Sequence, residues 1–285
     1  MTLPAGARDA RRVGGGDINE AYRVVLADGT DAFVKTRVDA APGEYAAEAA
    51  GLQWLAEPGA LRTPRVLDAD ERYLALEWIA SSPEGEPARA GGLYTAGAEE
   101  LGRGLALTHA AGAPCFGLES AAPARFSSLS LPNDPAPDWP TFYAERRLRP
   151  LVRLAGERGA LSAGAIELVE RVCGRLEEVC GPAESPARLH GDLWSGNVIA
   201  DANARPWLID PSAYGGHREV DLAMLRLFGA PSERVFAAYE DVAPLADGWR
   251  ERVELYQLLP LLVHALLFGG SYGASVERVA RRYVG

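Results

Sequence analysis

The sequence predicts an α+β protein of two lobes: a small N-terminal antiparallel sheet with one helix, and a larger, mainly helical C-terminal lobe. Two strand-like segments joined by an Asp-Gly turn lie near the N-terminus, and a segment with helical periodicity follows them. A stretch rich in Ser, Pro and Gly, SSPEGEPARAGG, then precedes several longer helical segments. We therefore predict a boundary near residues 80–90, with one lobe formed by residues 1–80 and the other by residues 81–285.

Composition limits the kinds of partner that the chain can bind. The 285 residues are 48% hydrophobic and 24% charged, which is enough apolar material for a sizeable core. A net charge of −10 argues against a nucleic-acid partner, because phosphate neutralisation needs a basic face. It does not argue against ATP, which needs only a local basic group and Mg²⁺. The N-terminal residues lack the apolar core of a signal peptide. The longest apolar stretch, residues 255–268, contains Gln257, Pro260 and His264, so we expect a buried helix and no membrane span.

Cysteine and histidine spacing predicts neither a disulfide framework nor a zinc site. Cys115, Cys173 and Cys180 form no CxxC pair, and reduced thiols in a cytoplasmic protein are the simplest interpretation. The four histidines are never three to five residues apart, which is the spacing of a zinc-binding helix.

The first element is a hairpin whose strands are residues 22–26 and 32–38. The run Gly14, Gly15 and Gly16 precedes it, and glycines let backbone N–H groups approach phosphate oxygens without obstruction by side chains. An isolated glycine run is more often a flexible bend, but Lys35 follows in the second strand between apolar neighbours. A lysine in this position projects from one face of the sheet and can contact the α- and β-phosphates of a nucleotide.

The next element is a helix over residues 44–57, which follows a Pro-Gly pair. Glu48 lies within it among small residues, and we predict that it pairs with Lys35. Glu44 competes for this role, and the alternative for Glu48 is an ordinary solvated charge on a helix.

Strands over residues 64–67 and 73–79 complete the first lobe. A short strand followed by a flexible crossover is where two lobes joined by a hinge would meet. Backbone groups from Glu77 to Ile79 are therefore the candidates for hydrogen bonds to the adenine edge.

The second lobe begins with a predicted helix over residues 93–110, and another is predicted over residues 161–179. His109, at the end of the first, is interpreted as a capping or core histidine and not as a catalyst. The segment 114–140 is long for a connection and has little periodicity, which is typical of functional loops. A basic cluster on the following helix either contacts an anionic ligand or consists of unpaired surface arginines. Its members are Arg146, Arg147, Arg149 and Arg153.

The segment 189–210 carries the polar residues that phosphoryl transfer needs. Asp192 can accept the proton of the acceptor hydroxyl. Asn197 and the strand-terminal Asp210 can hold Mg²⁺ through oxygen atoms. Four residues separate Asp192 from Asn197, as in the catalytic loop of protein kinases. Asp221, at a later helix start, is either a plain N-terminal charge or an acceptor for the backbone of this loop; neither role involves proton transfer.

Six segments together resemble the fructosamine kinase / ketosamine-3-kinase family, which has the protein-kinase-like fold of aminoglycoside and choline phosphotransferases. The resemblance covers residues 11–272, and HGDLWSGN is its most discriminating motif. The segments are GGGDINEAYRV, FVKT, LEW, HGDLWSGN, IDPSAYGGHREVDLAM and LLPLLVHALLFGGSY.

This resemblance implies ATP- and Mg²⁺-dependent phosphorylation of the 3-hydroxyl of a ketoamine sugar, free or protein-bound, after which the amine is released. By motif, Lys35 and Glu48 position the phosphates, Asp192 is the base, and Asn197 and Asp210 are the metal ligands. Gly14, Gly15, Gly16 and Asp17 would form the phosphate loop. Trp194 either lines the sugar pocket or anchors the catalytic loop.

Two departures from the family pattern affect regulation and substrate. Many relatives carry a cysteine in the glycine loop, where this chain has Asp17, so a redox switch is not expected there. The Ala/Pro-rich segment 114–140 does not match the family, which leaves the substrate, more than the reaction, open. Two alternative functions stand beside the ketoamine kinase. One is a kinase for another small hydroxyl compound, such as an aminoglycoside or amino alcohol, and the other is a non-catalytic nucleotide-binding scaffold.

Overall fold

A computed structural model describes residues 2–14, 19–80, 89–90, 97–229 and 231–285. The chain divides into two compact units, each assembled from three separate stretches. The predicted boundary near residues 80–90 falls mostly outside the described residues, so the division at residue 80 stays a prediction. The first unit comprises residues 1–108, 195–213 and 231–242, and the second comprises residues 109–194, 214–230 and 243–285.

A five-stranded antiparallel sheet forms the centre of the first unit, in the order β1-β2-β3-β5-β4. Its central strands and its single helix are those expected from the sequence, whereas β1 was not predicted, because all five of its residues are exposed and no apolar alternation marks it. The elements are β1 (Arg8–Arg12), β2 (Glu20–Val25), β3 (Asp31–Thr36), α1 (Glu44–Ala56), β4 (Val66–Ala69) and β5 (Tyr73–Glu77).

The two-residue period of β3 decides which of its side chains meet α1. Ala32 and Val34 lie on one face and pack with Val24 of β2. Phe33 lies on the other face and packs against the core that α1 supplies. Because side chains alternate along a strand, Lys35 lies on the same face as Phe33, which is the face that α1 covers. The sheet geometry therefore directs this lysine toward the helix.

The rest of the chain is mainly helical, with small antiparallel sheets β11-β10-β6, β12-β9 and β7-β8. The expected helix over residues 161–179 is two helices, since the backbone leaves helical geometry near Gly174 and Arg175. The elements are β6 (Arg89–Ala90), α2 (Ala98–Ala110), β7 (Ala124–Phe126), β8 (Leu129–Leu131), α3 (Trp139–Phe142), a π-helical turn (Tyr143–Leu148), α4 (Arg149–Glu157), α5 (Ala163–Cys173), α6 (Leu176–Val179), β9 (Ala187–Leu189), a 3₁₀ turn (Ser195–Asn197), β10 (Val198–Ala200), β11 (Pro206–Leu208), β12 (Tyr214–Gly216), α7 (Glu219–Leu225), α8 (Glu233–Val242), α9 (Trp249–Phe268) and α10 (Tyr272–Arg282).

Helix α9 is the central helix of the second unit, and it contains Pro260. A proline cannot donate the hydrogen bond that the carbonyl four residues earlier would accept. The hydroxyl of buried Tyr143 contacts that carbonyl, Tyr256 O, at 3.3 Å and also the carbonyl of Leu255 at 3.2 Å. This compensation allows the helix to continue through the proline. Among the described residues, no helix is both long enough and apolar enough to span a bilayer.

A close approach of α2 to α8 gives a stability prediction for Gly102. A Cβ atom at this position would lie 2.1 Å from the backbone oxygen of Val235, which cannot move without displacing α8. We expect Gly102→Ala to lower the free energy of unfolding by about 3 kcal/mol, measured by urea denaturation. Gly164→Ala in α5 is the matched control, because a Cβ there meets only a side-chain oxygen at 3.9 Å. The control should be neutral or stabilising by up to about 1 kcal/mol. Equal effects of the two substitutions would contradict the close approach.

Candidate active site

Three charged side chains of the first unit form a compact group near the end of β3, the central strand of the sheet. Lys35 Nζ lies 2.9 Å from Asp210 Oδ1 and also forms an ion pair with Glu48. The Lys35 side chain is 8% exposed and that of Glu48 is 12% exposed, whereas Asp210 is 49% exposed. The lysine therefore bridges a buried carboxylate of α1 and a more accessible carboxylate from the chain that follows β11.

Glu44, the alternative partner of Lys35, has another role in the structure. Its carboxylate accepts a hydrogen bond from Arg37 at 2.6 Å and another from the backbone N–H of Ala41 at 3.1 Å. Glu44 therefore fixes the turn that leads into α1, and Glu48 is the residue of this helix that pairs with Lys35.

The charges of Lys35, Glu48 and Asp210 influence one another's pKa values. Although burial acts to lower the pKa of Lys35, the Asp210 and Glu48 carboxylates together raise it above its ordinary value. Lys35 is therefore charged in the folded protein. Burial, assisted by the Asp210 charge, raises the pKa of Glu48 to about 7, while Lys35 opposes this shift. The second carboxylate of the group makes a full charge on Glu48 less favourable.

A hairpin places Asn197 beside the backbone of Asp210. Asn197 ends the 3₁₀ turn before β10, and β10 pairs with β11, after which the chain returns to Asp210. Ile209 N donates to Asn197 O at 3.0 Å, and Asn197 Nδ2 donates to Asp210 O at 3.4 Å. Asp210 has a φ of 54°, a left-handed conformation that aspartate adopts more readily than most residues. This backbone conformation directs the carboxylate away from the line of the preceding strand. Residues in such uncommon conformations cluster at functional sites.

The loop that carries Asp192 is fixed by a buried carboxylate of the second unit. Asp221, which is fully buried, accepts hydrogen bonds from His190 N at 2.7 Å and from Gly191 N at 2.9 Å. Asp221 is therefore more than a plain charge at a helix N-terminus, and its expected role in holding this loop is confirmed. His109 is also buried and has Nε2 3.2 Å from the same carboxylate, so it is a core histidine, as expected. His109 and Asp221 are 112 residues apart in the sequence, so no local sequence pattern could predict that they pair.

Trp194 lies two residues after Asp192, and its backbone N–H donates to Asp192 O at 3.1 Å in a tight turn. Its side chain is 39% exposed, which does not fit the interpretation of Trp194 as a buried anchor for the loop. Its ring packs edge-on against Phe228, with the ring centres 6.4 Å apart.

The predicted nucleotide contacts of the N-terminal lobe are only partly described. Gly14 follows Val13, whose N–H donates to Ala21 O, whereas Gly15, Gly16 and Asp17 lie outside the described residues. Glu77 ends β5 and pairs with Arg65, and Ile79 follows beyond the strand. The segment from Glu77 to Ala80 lines a cavity of about 200 Å³ whose other side is formed by the turn between β10 and β11.

Three of the four arginines in the cluster have partners, contrary to their interpretation as unpaired surface charges, whereas Arg153 is exposed and forms no ion pair with the described residues. Arg147 is fully buried, and it donates to Asn133 Oδ1 at 2.7 Å and to Pro132 O at 2.7 Å. Its guanidinium also lies 4.0 Å from the ring centre of Tyr214. Arg147 belongs to the π-helical turn. Side chains in such a turn point in other directions than in a regular α-helix, so the 3.6-residue period of an α-helix does not predict which of them are buried. Arg147 therefore attaches the end of segment 114–140 to the second unit, while Arg146 and Arg149 pair with carboxylates.

The structure thus gathers Lys35, Glu48, Asn197 and Asp210 in the first unit and describes Asp192 and Trp194 in the second. Among the described residues, no group of three or more His, Cys, Asp or Glu side chains could hold a metal ion alone. Asn197 and Asp210 offer an amide oxygen and a carboxylate. That donor set fits Mg²⁺, which proteins usually bind through one or two carboxylates together with substrate phosphates.

Comparison with known proteins assigns the chain to a family. The fructosamine kinase family model matches residues 3–284. A protein named as a ketoamine kinase in Lactiplantibacillus plantarum is 35% identical over 279 residues, with 95% of this chain and 92% of that protein covered. A crystal structure of a protein named as a fructosamine-3-kinase, from Thermobifida fusca, is 44% identical, with a TM-score of 0.86 and 98% and 94% of the two chains covered.

More distant structures share the fold alone. The choline kinase LicA of Streptococcus pneumoniae is 16% identical, with a TM-score of 0.61 over 98% of this chain and 94% of that one. The expected α+β, protein-kinase-like fold is therefore confirmed. Together with the match over nearly the full length, these likenesses show that the chain belongs to the fructosamine kinase family.

Proposed function

We propose that this protein is an ATP- and Mg²⁺-dependent kinase that phosphorylates the 3-hydroxyl of ketoamine adducts such as fructosamines and ribulosamines. The product is unstable, so that the amine is freed and the overall result is deglycation. The observation that carries this proposal is the ion group of Lys35, Glu48 and Asp210 in a member of the fructosamine kinase family. We also propose a cytoplasmic location, which the free thiols of all three cysteines support.

On the donor side, Lys35 contacts the α- and β-phosphates of ATP, and Glu48 holds the ammonium in place. A buried, charged lysine that already has a rigid partner loses little freedom when it binds phosphate. Gly14, Gly15, Gly16 and Asp17 form the phosphate loop, and backbone groups from Glu77 to Ile79 bond the adenine edge.

Asn197 and Asp210 hold Mg²⁺ when the nucleotide is bound, and the ion supplies positive charge beside the phosphates. Asn197 is fixed to the backbone of Asp210, so the two ligands are positioned together. Asp210, which pairs with Lys35 in the structure, would supply the charged oxygen ligand of the ion.

On the acceptor side, Asp192 accepts the proton of the sugar 3-hydroxyl. The hydroxyl oxygen forms a bond to the γ-phosphorus, the bond from that phosphorus to the β,γ-bridging oxygen breaks, and ADP leaves with the electron pair. Two backbone hydrogen bonds to Asp221 keep the loop of Asp192 rigid without exposing a second carboxylate. Trp194 is proposed to contact the sugar.

An acceptor screen tests the proposal. The protein is incubated with ATP and Mg²⁺ and with fructosyl-lysine, ribulosyl-lysine, an aminoglycoside or an amino alcohol, and each acceptor is then analysed by mass spectrometry. We expect a gain of one phosphate on the ketoamines alone, followed by release of free lysine. Phosphate on only the aminoglycoside or the amino alcohol would favour the alternative kinase, and tight ATP binding with no phosphorylated acceptor would favour the scaffold.

A further inference from the structure

Five aromatic side chains of the second unit form a continuous row that begins two residues after Asp192. Trp194 packs against Phe228, which lies with its ring centre 4.6 Å from that of His264. His264 in turn has its ring centre 5.3 Å from that of Phe268 and 5.1 Å from that of Tyr272. We call this group, Trp194, Phe228, His264, Phe268 and Tyr272, the aromatic row.

Two members of the row are unusually exposed. Trp194 is 39% exposed and Phe268 is 59% exposed, and they are the only aromatic side chains among the exposed large hydrophobic residues of the described part of the chain. Exposed aromatic surface that is contiguous and rigid is typical of a binding site. Phe268 ends α9, directly before Gly269 and Gly270, whose positive φ angles reverse the chain into α10. The same reversal returns Tyr272 to His264.

The hydrogen bond of His264 fixes its protonation pattern. Nδ1 lies 2.7 Å from the carbonyl oxygen of Pro260, which can only accept, so Nδ1 carries the proton. Burial lowers the pKa of His264, and the imidazole is therefore neutral near pH 7 with an unprotonated Nε2. No residue in the described part of the chain donates a hydrogen bond to Nε2. The row thus contains one fixed hydrogen-bond acceptor among aromatic faces.

We propose that the aromatic row binds the amine-bearing side of the acceptor, with the protonated secondary amine against the rings and one of its N–H groups donated to His264 Nε2. This inference rests on the proposed function and assigns a specificity-determining role to His264 and Phe268. Aromatic faces attract ammonium groups, and a neutral imidazole accepts from an N–H donor. The turn that joins Trp194 to Asp192 places one end of the row beside the proposed base. Because Phe268 is the most exposed member of the row, the substituent on the amine extends past it into solvent.

Paired acceptors isolate the amine contribution. One acceptor is an N-alkyl fructosamine, and the other is the ether of the same alkyl group and sugar, which has no positive charge and no N–H. Steady-state kcat/KM is measured for both with the wild-type protein and with His264→Phe, which keeps an aromatic ring but removes the acceptor nitrogen. We expect His264→Phe to lower kcat/KM about tenfold for the amine and less than about threefold for the ether.

Further variants separate specificity from folding. His264→Gln supplies an acceptor oxygen and should recover part of the preference for the amine. Phe268→Ala removes an exposed ring and should lower kcat/KM for the amine about threefold. Leu107→Ala is its control, because Leu107 is also an exposed apolar residue, at 51%, but belongs to the first unit. The control should leave both acceptors unaffected.

The outcomes distinguish this inference from the proposed function. If the wild-type protein phosphorylates the amine and His264→Phe lowers kcat/KM equally for both acceptors, the assigned role of His264 is wrong while the proposed function stands. The assigned role is also wrong if the ratio of kcat/KM for the amine to kcat/KM for the ether is the same in His264→Phe as in the wild-type protein. If the wild-type protein phosphorylates neither acceptor, the proposed function fails and the inference fails with it.

Discussion

Asp192→Ala is expected to lower kcat for phosphoryl transfer by about a thousandfold, because the acceptor hydroxyl loses the group that takes its proton. The rate is measured with fructosyl-lysine, ATP and Mg²⁺ at saturating concentrations. ATP binding should change little, since the residues proposed to hold the phosphates and the metal are elsewhere in the chain. A fall in kcat with an unchanged Kd for ATP is the signature of a base that acts on the acceptor.

Asp39→Ala is the control for removal of a carboxylate. Asp39 is 92% exposed and makes only a long contact, 3.6 Å, with Arg37. Its loss should leave kcat within about twofold of the wild-type value, as expected for a surface substitution. Normal turnover by Asp192→Ala would show that another group accepts the proton. A large rise in the Kd for ATP would show that Asp192 acts on the donor side.

The placement of several candidate site residues could be predicted because it depends on a local pattern. The alternation of β3 places Lys35 on a known face of the sheet, and the helical period of α1 brings Glu48 toward it. Asp192, Asn197 and Asp210 lie within one short segment, so their spacing carries the information. The structure adds the ion pair between Lys35 and Asp210, which joins two residues 175 positions apart.

Features built from distant or irregular segments could not be predicted in the same way. The hairpin of β7 and β8 has only three residues in each strand, too few to show an alternation in an Ala/Pro-rich segment. The π-helical turn changes the direction in which the Arg147 side chain points. A regular α-helical period would place Arg147 at the surface, whereas it is buried in the structure. The aromatic row draws its members from separate segments: Trp194 lies in HGDLWSGN, Phe228 lies outside the six segments, and His264, Phe268 and Tyr272 lie in LLPLLVHALLFGGSY. Of these residues, only Trp194 was a predicted substrate contact. Long-range packing, and not local propensity, decides the positions of Arg147 and of the aromatic row.

The second large effect is expected for Asp210→Asn, which should lower kcat/KM by about a thousandfold because a charged Mg²⁺ ligand becomes a neutral amide. Asparagine retains the size of aspartate and tolerates the φ of 54° at this position, so the backbone should be preserved. The ion pair of Lys35 with Glu48 also remains available. The loss should therefore reflect the metal and not the fold.

ATP affinity with and without Mg²⁺ gives a readout independent of turnover, and here the sign of the change decides the interpretation. In wild-type protein the Asp210 carboxylate repels the triphosphate when no metal is present, so Mg²⁺ should strengthen ATP binding markedly. Asp210→Asn removes that repulsion, so its metal-free ATP binding should equal or exceed that of the wild-type protein, while the gain from Mg²⁺ should shrink. Glu48→Gln is the matched control, since it removes the other carboxylate that contacts Lys35 but no proposed metal ligand. If Glu48→Gln abolishes the gain from Mg²⁺ as fully as Asp210→Asn does, the charge around Lys35 controls the metal dependence, and Asp210 is not a ligand.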